Sequence, residues 1–359
     1  MRRSALALHF DLYDHLVITN LRNPEFAKIN MLTPGCQQML ENVDLRTLVF
    51  DKAALAFSPI FEHLEFWENL AKNNHKPCYD QFELYDVDKE IDSSVGTKWA
   101  NRAYLHFLRD RANNPLAPLQ LGVPQEICDF LLKITPVEVS NITNFGYPLY
   151  KFRFTESFFD FVKNYAGDSE LIGARYLHAL MEHCPVTLKE YSKTITIQQY
   201  RSEDGYPLVK VLLDIGMRVA VASTLFPNLH AARIRRLYKE IYNKRSPSGQ
   251  MPTAVEWYFN TERRRVHTTF FQFLLSLTYS NFDEAIPALI YAYRAYEEIA
   301  IDPILEIDRT PLLMNLNTNA NRLVNLKTCP HCGTVYLTCA TDSKFEHGKY
   351  YCIGCAPPK

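Results

Sequence analysis

Net charge is almost absent from this chain. Its 359 residues carry 39 Lys/Arg against 40 Asp/Glu, a formal charge of −1. No global field therefore draws in a polyanion or a membrane surface. A long apolar run is missing too. The longest stretch without charge, Val266 to Phe282, is interrupted by His, Thr, Ser and Asn, and it falls short of a membrane span. The opening "MRRSALALHFDLYDHL" has only about seven residues between its two arginines and Asp11, too short and too polar for a signal peptide. No phosphate-binding loop, nucleophile motif or open metal site is present, so no enzyme is expected. There is no internal repeat and no low-complexity tract. With 47% hydrophobic and 13% aromatic residues, the chain is not disordered. A soluble cytoplasmic protein of two or three domains is expected.

Cysteine is scarce until the end. Cys36, Cys78, Cys128 and Cys184 are scattered, while five more fall at or beyond Cys329. A secreted disulfide scaffold would be small and cysteine-dense throughout. The uneven distribution instead predicts reduced thiols and one metal site. Cys329-x2-Cys332 and Cys352-x2-Cys355 have the paired-knuckle spacing of tetrahedral zinc. A two-residue gap lets one tight turn aim both thiolates at one ion. Gly333 and Gly354 are expected to supply the permissive backbone of those turns. Four thiolates close the coordination shell, so the predicted single Zn2+ is structural. Cys339, His331 and His347 are left as spare candidates. "TVYLTCA" and "KYYCIG" read as short strands of a ribbon too small to fold without metal.

Charge is nearly balanced overall but not locally. From Leu229 to Arg265 there are nine Lys/Arg and three Asp/Glu. In "GMRVAVASTLFPNLHAARIRRLYKEIYNKR" a short helix ends before Pro227, and Asn228 is placed to cap the next. The second helix sets His230, Ile234, Leu237, Tyr238 and Ile241 on one side. Arg235, Arg236, Lys239 and Asn243 fall on the other, with Arg233 at the edge. Lys244, Arg245 and then Arg263, Arg264 and Arg265 follow. A helix-turn-helix with an outward basic face can enter the major groove of double-stranded DNA. The bland alternative is a solvated charged face. His267, leading into an apolar helix, reads as structural.

The remainder reads as mostly helical. "DKAALAFSPIFEHLEFWENLAKN" has helical spacing interrupted at Pro59. "TKWANRAYLHFLRDRAN" places Trp99, Ala103, Phe107 and Leu108 on one side. "LGVPQEICDFLLKI" does the same for Ile127, Phe130, Leu131 and Ile134. "YPLYKFRFTE" alternates as a short strand, with Leu149, Lys151 and Arg153 opposite Tyr150, Phe152 and Phe154. Glu83 to Asp92 is an acidic stretch.

From about Tyr206 onward the chain resembles FlhC, a subunit of the bacterial flagellar master transcriptional activator. "RIRRLYKEIY", Gly249 and Pro252 of "SGQMP", Trp257, "AIPALIYAYRAYEE" and "CPHCG…CIGCAPP" carry the resemblance. "LGVPQEICDFLLKIT" and "YKFRF" are similar to FlhD, the partner subunit, over about 60 residues. The resemblance implies promoter DNA binding, zinc held by Cys329, Cys332, Cys352 and Cys355, and activation through RNA polymerase. It also implies a homo-oligomer, or a hetero-oligomer with an FlhD-like subunit. Tyr150 stands where the enteric FlhD has its inter-subunit cysteine, so that disulfide is not expected. The expected fold is mainly α: a helical dimerisation-type module, a helical DNA-binding domain and a zinc ribbon. The expected divisions are 1–82 (helical, role unknown), 83–165 (FlhD-like), 166–205 (connecting helix and linker), 206–328 (FlhC-like) and 329–359 (ribbon). A DNA-binding activator is the leading expectation. A zinc-stabilised protein-interaction scaffold without DNA contact is the alternative.

Overall fold

A computed structural model describes residues 2–84, 95–186, 205–249, 251–279, 282, 284–316, 324–340 and 352–355. Most of the acidic stretch, His347, residues 187–204 of the expected linker and the first half of the expected strand in "KYYCIG" lie outside them. The described chain is mainly helical and divides into two compact units. Among the described residues, no helix is long and apolar enough to cross a membrane.

The N-terminal unit spans Met1–Ala166 with His183–Val186. It contains α1 (Arg2–Arg22), α2 (Phe26–Asn30), α3 (Pro34–Leu40), α4 (Val43–Phe50), β1 (Phe57–Pro59), α5 (Leu64–Ala71) and α6 (Lys76–Gln81). After these come α7 (Val95–Arg111), α8 (Ala117–Leu121), α9 (Gln125–Leu131), α10 (Pro136–Thr143), β2 (Tyr150–Phe152) and α11 (Glu156–Asn164). Two helix starts show how sequence sets boundaries. Thr33 and Thr135 each precede a proline at the first helical position and accept a backbone N–H. Thr135 and Glu138 complete a reciprocal capping box, satisfying donors that the helix start leaves open.

The division expected at residue 82 falls inside this unit. β1 pairs antiparallel with β2, Phe57 opposite Phe152 and Pro59 opposite Tyr150. Residues 57–59 are therefore a strand, not part of an interrupted helix. Arg153, which alternates with Phe152 and Phe154 in the expected strand, is 2% exposed. Its guanidinium donates to the carbonyls of Leu55, Leu119 and Gln120 at 3.0–3.3 Å. Those bonds tie β1, α8 and β2 together. The buried Asn101 likewise donates to Phe145 O and Tyr147 O and accepts from Leu149 N–H. Of the side expected for α7, Phe107 and Leu108 are buried, joined by Tyr104 and Leu105, whereas Trp99 is 66% exposed and Ala103 is exposed. In α9, Ile127, Leu131 and the following Ile134 are buried as expected, with Phe130 half-buried.

Two histidines of α1 fasten that helix to the rest. His9 Nδ1 donates to Phe50 O at 2.7 Å, and Nε2 accepts from Ala56 N–H at 3.1 Å. His15 meets Tyr150 Oη and Thr97 Oγ1. Burial holds both imidazoles near a pKa of about 4, so they stay neutral at pH 7. Cys78 and Cys128 are buried thiols, pushed up to about 12 by desolvation. Cys36 is raised for the same reason.

The C-terminal unit takes Gly167–Glu182 and the chain from Thr187 onward. It contains α12 (Ser169–Glu182), α13 (Tyr206–Asp214), α14 (Val219–Leu225), α15 (Ala231–Tyr242), α16 (Glu262–Tyr279), α17 (Ala285–Ile299) and α18 (Thr310–Leu316). The strands β3 (Val324–Thr328) and β4 (Val335–Cys339) follow. At its centre, α16 packs against α17 and α12. The expected connecting helix thus belongs to this core. Tyr296 of α17 accepts from the N–H groups of Ile304 and Leu305 and donates to His267 Nδ1 at 2.7 Å. His267 is fully buried, and desolvation lowers its pKa to about 3. It is a core histidine, as expected.

Candidate metal centre and basic helix

The strands β3 and β4 form an antiparallel hairpin, Val324 opposite Cys339 and Thr328 opposite Val335. The ribbon therefore begins at Val324, before the division expected at residue 329. Every residue of β4 is buried. Leu337 N–H donates to Thr269 Oγ1 of α16 at 3.0 Å, which seats the hairpin on that helix. The first knuckle is the hairpin's turn. Gly333 N–H donates to Cys329 O at 2.9 Å, and Cys329 N–H to Thr334 O at 2.8 Å. Gly333 has φ +74°, a left-handed conformation that costs a residue with a side chain free energy. The second knuckle closes with Cys355 N–H donating to Cys352 O at 2.9 Å.

The two knuckles bring Cys329, Cys332, Cys352 and Cys355 together, with all four sulfurs within 4.8 Å of one another. Cys332 and Cys352 are 3.3 Å apart, and Cys329 and Cys355 are 4.0 Å apart. Zinc–sulfur bonds of ~2.3 Å in a tetrahedron put the sulfurs ~3.8 Å apart. The cluster has the size, count and chemistry of a metal site. Crowding is expressed in protonation. The hydrogen bond between Cys332 and Cys352 draws the Cys332 thiol well below its ordinary value and pushes the Cys352 thiol above it. Burial pushes Cys355 up to about 12. Four thiolates at this spacing need a cation to coexist. Cys339 is buried on β4, outside the cluster. His331 is exposed beside the first knuckle.

A residue missed in the sequence reaches the cluster from α12. His178 is 2% exposed, with Nε2 3.2 Å from Cys352 Sγ and Nδ1 2.9 Å from Arg175 Nη1. Its ring also explains Gly354. That glycine is not among the positive-φ residues, so its role is close approach rather than turn conformation. A Cβ there would lie 2.4 Å from His178 Cε1. The available signal was the spacing Arg175, His178, Glu182, which stacks three polar groups on one face of an otherwise apolar helix.

The basic region divides into exposed and structural cations. On α15, Ile234 and Tyr238 are buried, Leu237 and Ile241 half-buried, and Arg235, Arg236 and Lys239 exposed. His230 is exposed, unlike the apolar residues it was grouped with. It is also the N-cap, without a side-chain cap bond, so Asn228 does not take that role. Asn243 adopts φ 50° as C-cap, the left-handed helix stop that Asn tolerates. Arg233 lies over the Tyr206 ring at 3.7 Å. Lys244 and Arg245 are exposed. The helix pair is fixed underneath: Tyr242 Oη donates to Leu213 O at 2.8 Å, and Ser246 Oγ accepts from Val219 N–H at 3.1 Å.

The three arginines of α16 are placed differently. Arg265 is 5% exposed and paired with Glu262, and Arg263 is paired with Glu170 of α12. Arg264 and Arg309 lie over the Trp257 ring at 4.8 and 4.1 Å. Arg265 was expected on a DNA-facing surface. The structure buries it, because α16 packs on α12 along that side.

Residues 201–359 match the family model "Flagellar transcriptional activator (FlhC)". The "Flagellar transcriptional regulator FlhC" of Verminephrobacter eiseniae (strain EF01-2) is 31% identical over 153 residues, which cover 41% of this chain and 79% of that protein. This chain belongs to the FlhC family. The FlhC of Yersinia enterocolitica is 25% identical over 156 residues, 42% of this chain and 78% of the relative. That of Serratia marcescens is 25% identical over 156 residues, 42% of this chain and 77% of the relative. The FlhC match takes in α13 to α18, the hairpin and all four clustered cysteines. The helix α12, with His178, lies before it.

Proposed function

We propose that this FlhC-family chain is a DNA-binding transcriptional activator of flagellar genes. In this reading α14 and α15 act as a helix-turn-helix. Arg235, Arg236 and Lys239 face promoter DNA, and Lys244, Arg245 and Asn243 continue the surface past the helix end. Arg233, Arg263 and Arg264 flank it, each also engaged with a neighbour in the fold. The observation that carries the reading is the exposed row of cations on α15, whose apolar side is buried against its own unit. Such a row neutralises phosphates and admits arginine to guanine edges.

One structural Zn2+ is held by Cys329, Cys332, Cys352 and Cys355. It supplies folding free energy to the ribbon seated on α16. The chain recruits RNA polymerase once bound. The N-terminal unit, which contains the FlhD-like residues, serves assembly, as a homo-oligomer or with an FlhD-like subunit. A genome-wide map of DNA bound by the chain in its own cells tests this reading. Peaks at flagellar promoters that vanish with Arg235→Ala/Arg236→Ala support it. A protein folded and expressed but enriched nowhere would favour the protein-interaction scaffold instead.

A further inference from the structure

Helix α12 holds a hydrogen-bond chain whose direction is fixed by chemistry. Arg175 has only N–H donors, and its Nη1 lies 2.9 Å from His178 Nδ1. Nδ1 must therefore accept. The ring proton then sits on Nε2, which points at Cys352 Sγ from 3.2 Å. Behind Arg175, the same Nη1 lies 3.4 Å from Glu182 Oε2. Arg175 and His178 are both buried. A buried N–H aimed at a sulfur in a four-cysteine cluster is an outer-shell contact to a ligand. Such contacts orient the ligand and reduce its excess charge.

Two further observations belong to the same contact. The second knuckle approaches so closely that a Cβ on Gly354 would collide with the imidazole. In addition, α12 lies outside the FlhC match yet packs on α16, the helix that seats the hairpin.

We propose that α12 supplies the outer shell of the metal centre, with His178 as a positioning residue that donates Nε2–H to the Cys352 thiolate. Arg175 and Glu182 fix its tautomer and orientation. The inference rests on the zinc reading above. It adds that residues preceding the FlhC segment govern how tightly the metal is held.

The test uses the full chain, loaded with zinc or cobalt. His178→Leu keeps an apolar volume and removes the donor, whereas His178→Gln keeps an N–H donor. Zinc transfer to a colorimetric chelator is expected to reveal an affinity about 10- to 100-fold lower in the leucine variant, with recovery in the glutamine variant. The sulfur-to-cobalt charge-transfer band is expected to move to lower energy in the leucine variant and back in the glutamine variant. A purely packing role would not move that band. If His178→Leu does not fold, Gly354→Ala serves, because its methyl group displaces the imidazole without changing any ligand. Unchanged zinc retention and an unchanged cobalt band in the folded variant would overturn the assignment. A wild-type chain that binds neither metal at the cluster would overturn the zinc reading itself, and with it this inference.

Discussion

Tyr296→Phe removes one oxygen and leaves the ring in place. That oxygen makes three hydrogen bonds: Ile304 N–H at 2.9 Å, Leu305 N–H at 3.0 Å and His267 Nδ1 at 2.7 Å. Leu305 and His267 are buried, and Ile304 is half-buried. Each orphaned buried group costs about 1–3 kcal/mol. Partial relaxation at Ile304 brings the expected loss to about 2–5 kcal/mol, which lowers the melting temperature of the C-terminal unit by roughly 5–15 °C. Tyr293→Phe is the internal control. Its hydroxyl donates to Leu305 O at 3.1 Å and holds no comparable set of buried N–H groups, so a loss of about 0.5–1.5 kcal/mol is expected. Chemical unfolding followed by circular dichroism, with hydrogen exchange at the α16 and α17 amides, separates the two. If Tyr296→Phe cost no more than Tyr293→Phe, the three-bond hub would be refuted.

Other perturbations follow from the same structure. Cys352→Ser should lower zinc content, melting temperature and DNA affinity together, measured on one preparation. DNA binding that survives metal loss would make the ribbon a separate docking module. Acid should destabilise the fold through His9, His15 and His267, held near about 4, about 4 and about 3 by burial against an ordinary 6.5. Between those values the unfolded chain binds more protons, so stability falls as pH drops below 6.5, by about 2 kcal/mol per histidine at pH 5. A His9→Gln variant with an unaltered pH dependence of unfolding would remove His9 from that account. Arg265→Ala should cost stability and leave the salt slope of DNA binding unchanged. A lower slope would return Arg265 to the DNA surface.

What was legible in the sequence was short-range. Cys-x2-Cys spacing announced both knuckles because ligand geometry constrains neighbours in the chain. The apolar period of α15 separated Ile234 and Tyr238 from Arg235, Arg236 and Lys239 for the same reason. What was hidden depends on distant pairing. Residues 57–59 looked helical because their partner strand lies beyond six helices. Arg153 was legible only as one position of an alternating strand, because nothing local shows three carbonyls converging on it. Arg263 and Arg265 looked like a surface charge run, but Glu170 and the packing of α12 on α16 decide their placement. His178 is 174 residues from Cys352, and no spacing rule connects a helix residue to a knuckle across that distance. The turn before α15 was misread for a subtler reason. Asn228 is a good capping residue, yet the helix begins only after His230.

The central claim is that α15 meets nucleic acid through its exposed arginines. It is tested most directly by the salt dependence of promoter DNA binding, wild type against Arg235→Ala/Arg236→Ala. Each neutralised phosphate contributes about 0.9 to the log–log slope, so losing two contacts should reduce its magnitude by about 1.8 and weaken binding at every salt concentration. Equal slopes and equal affinities for a folded double variant would contradict the claim.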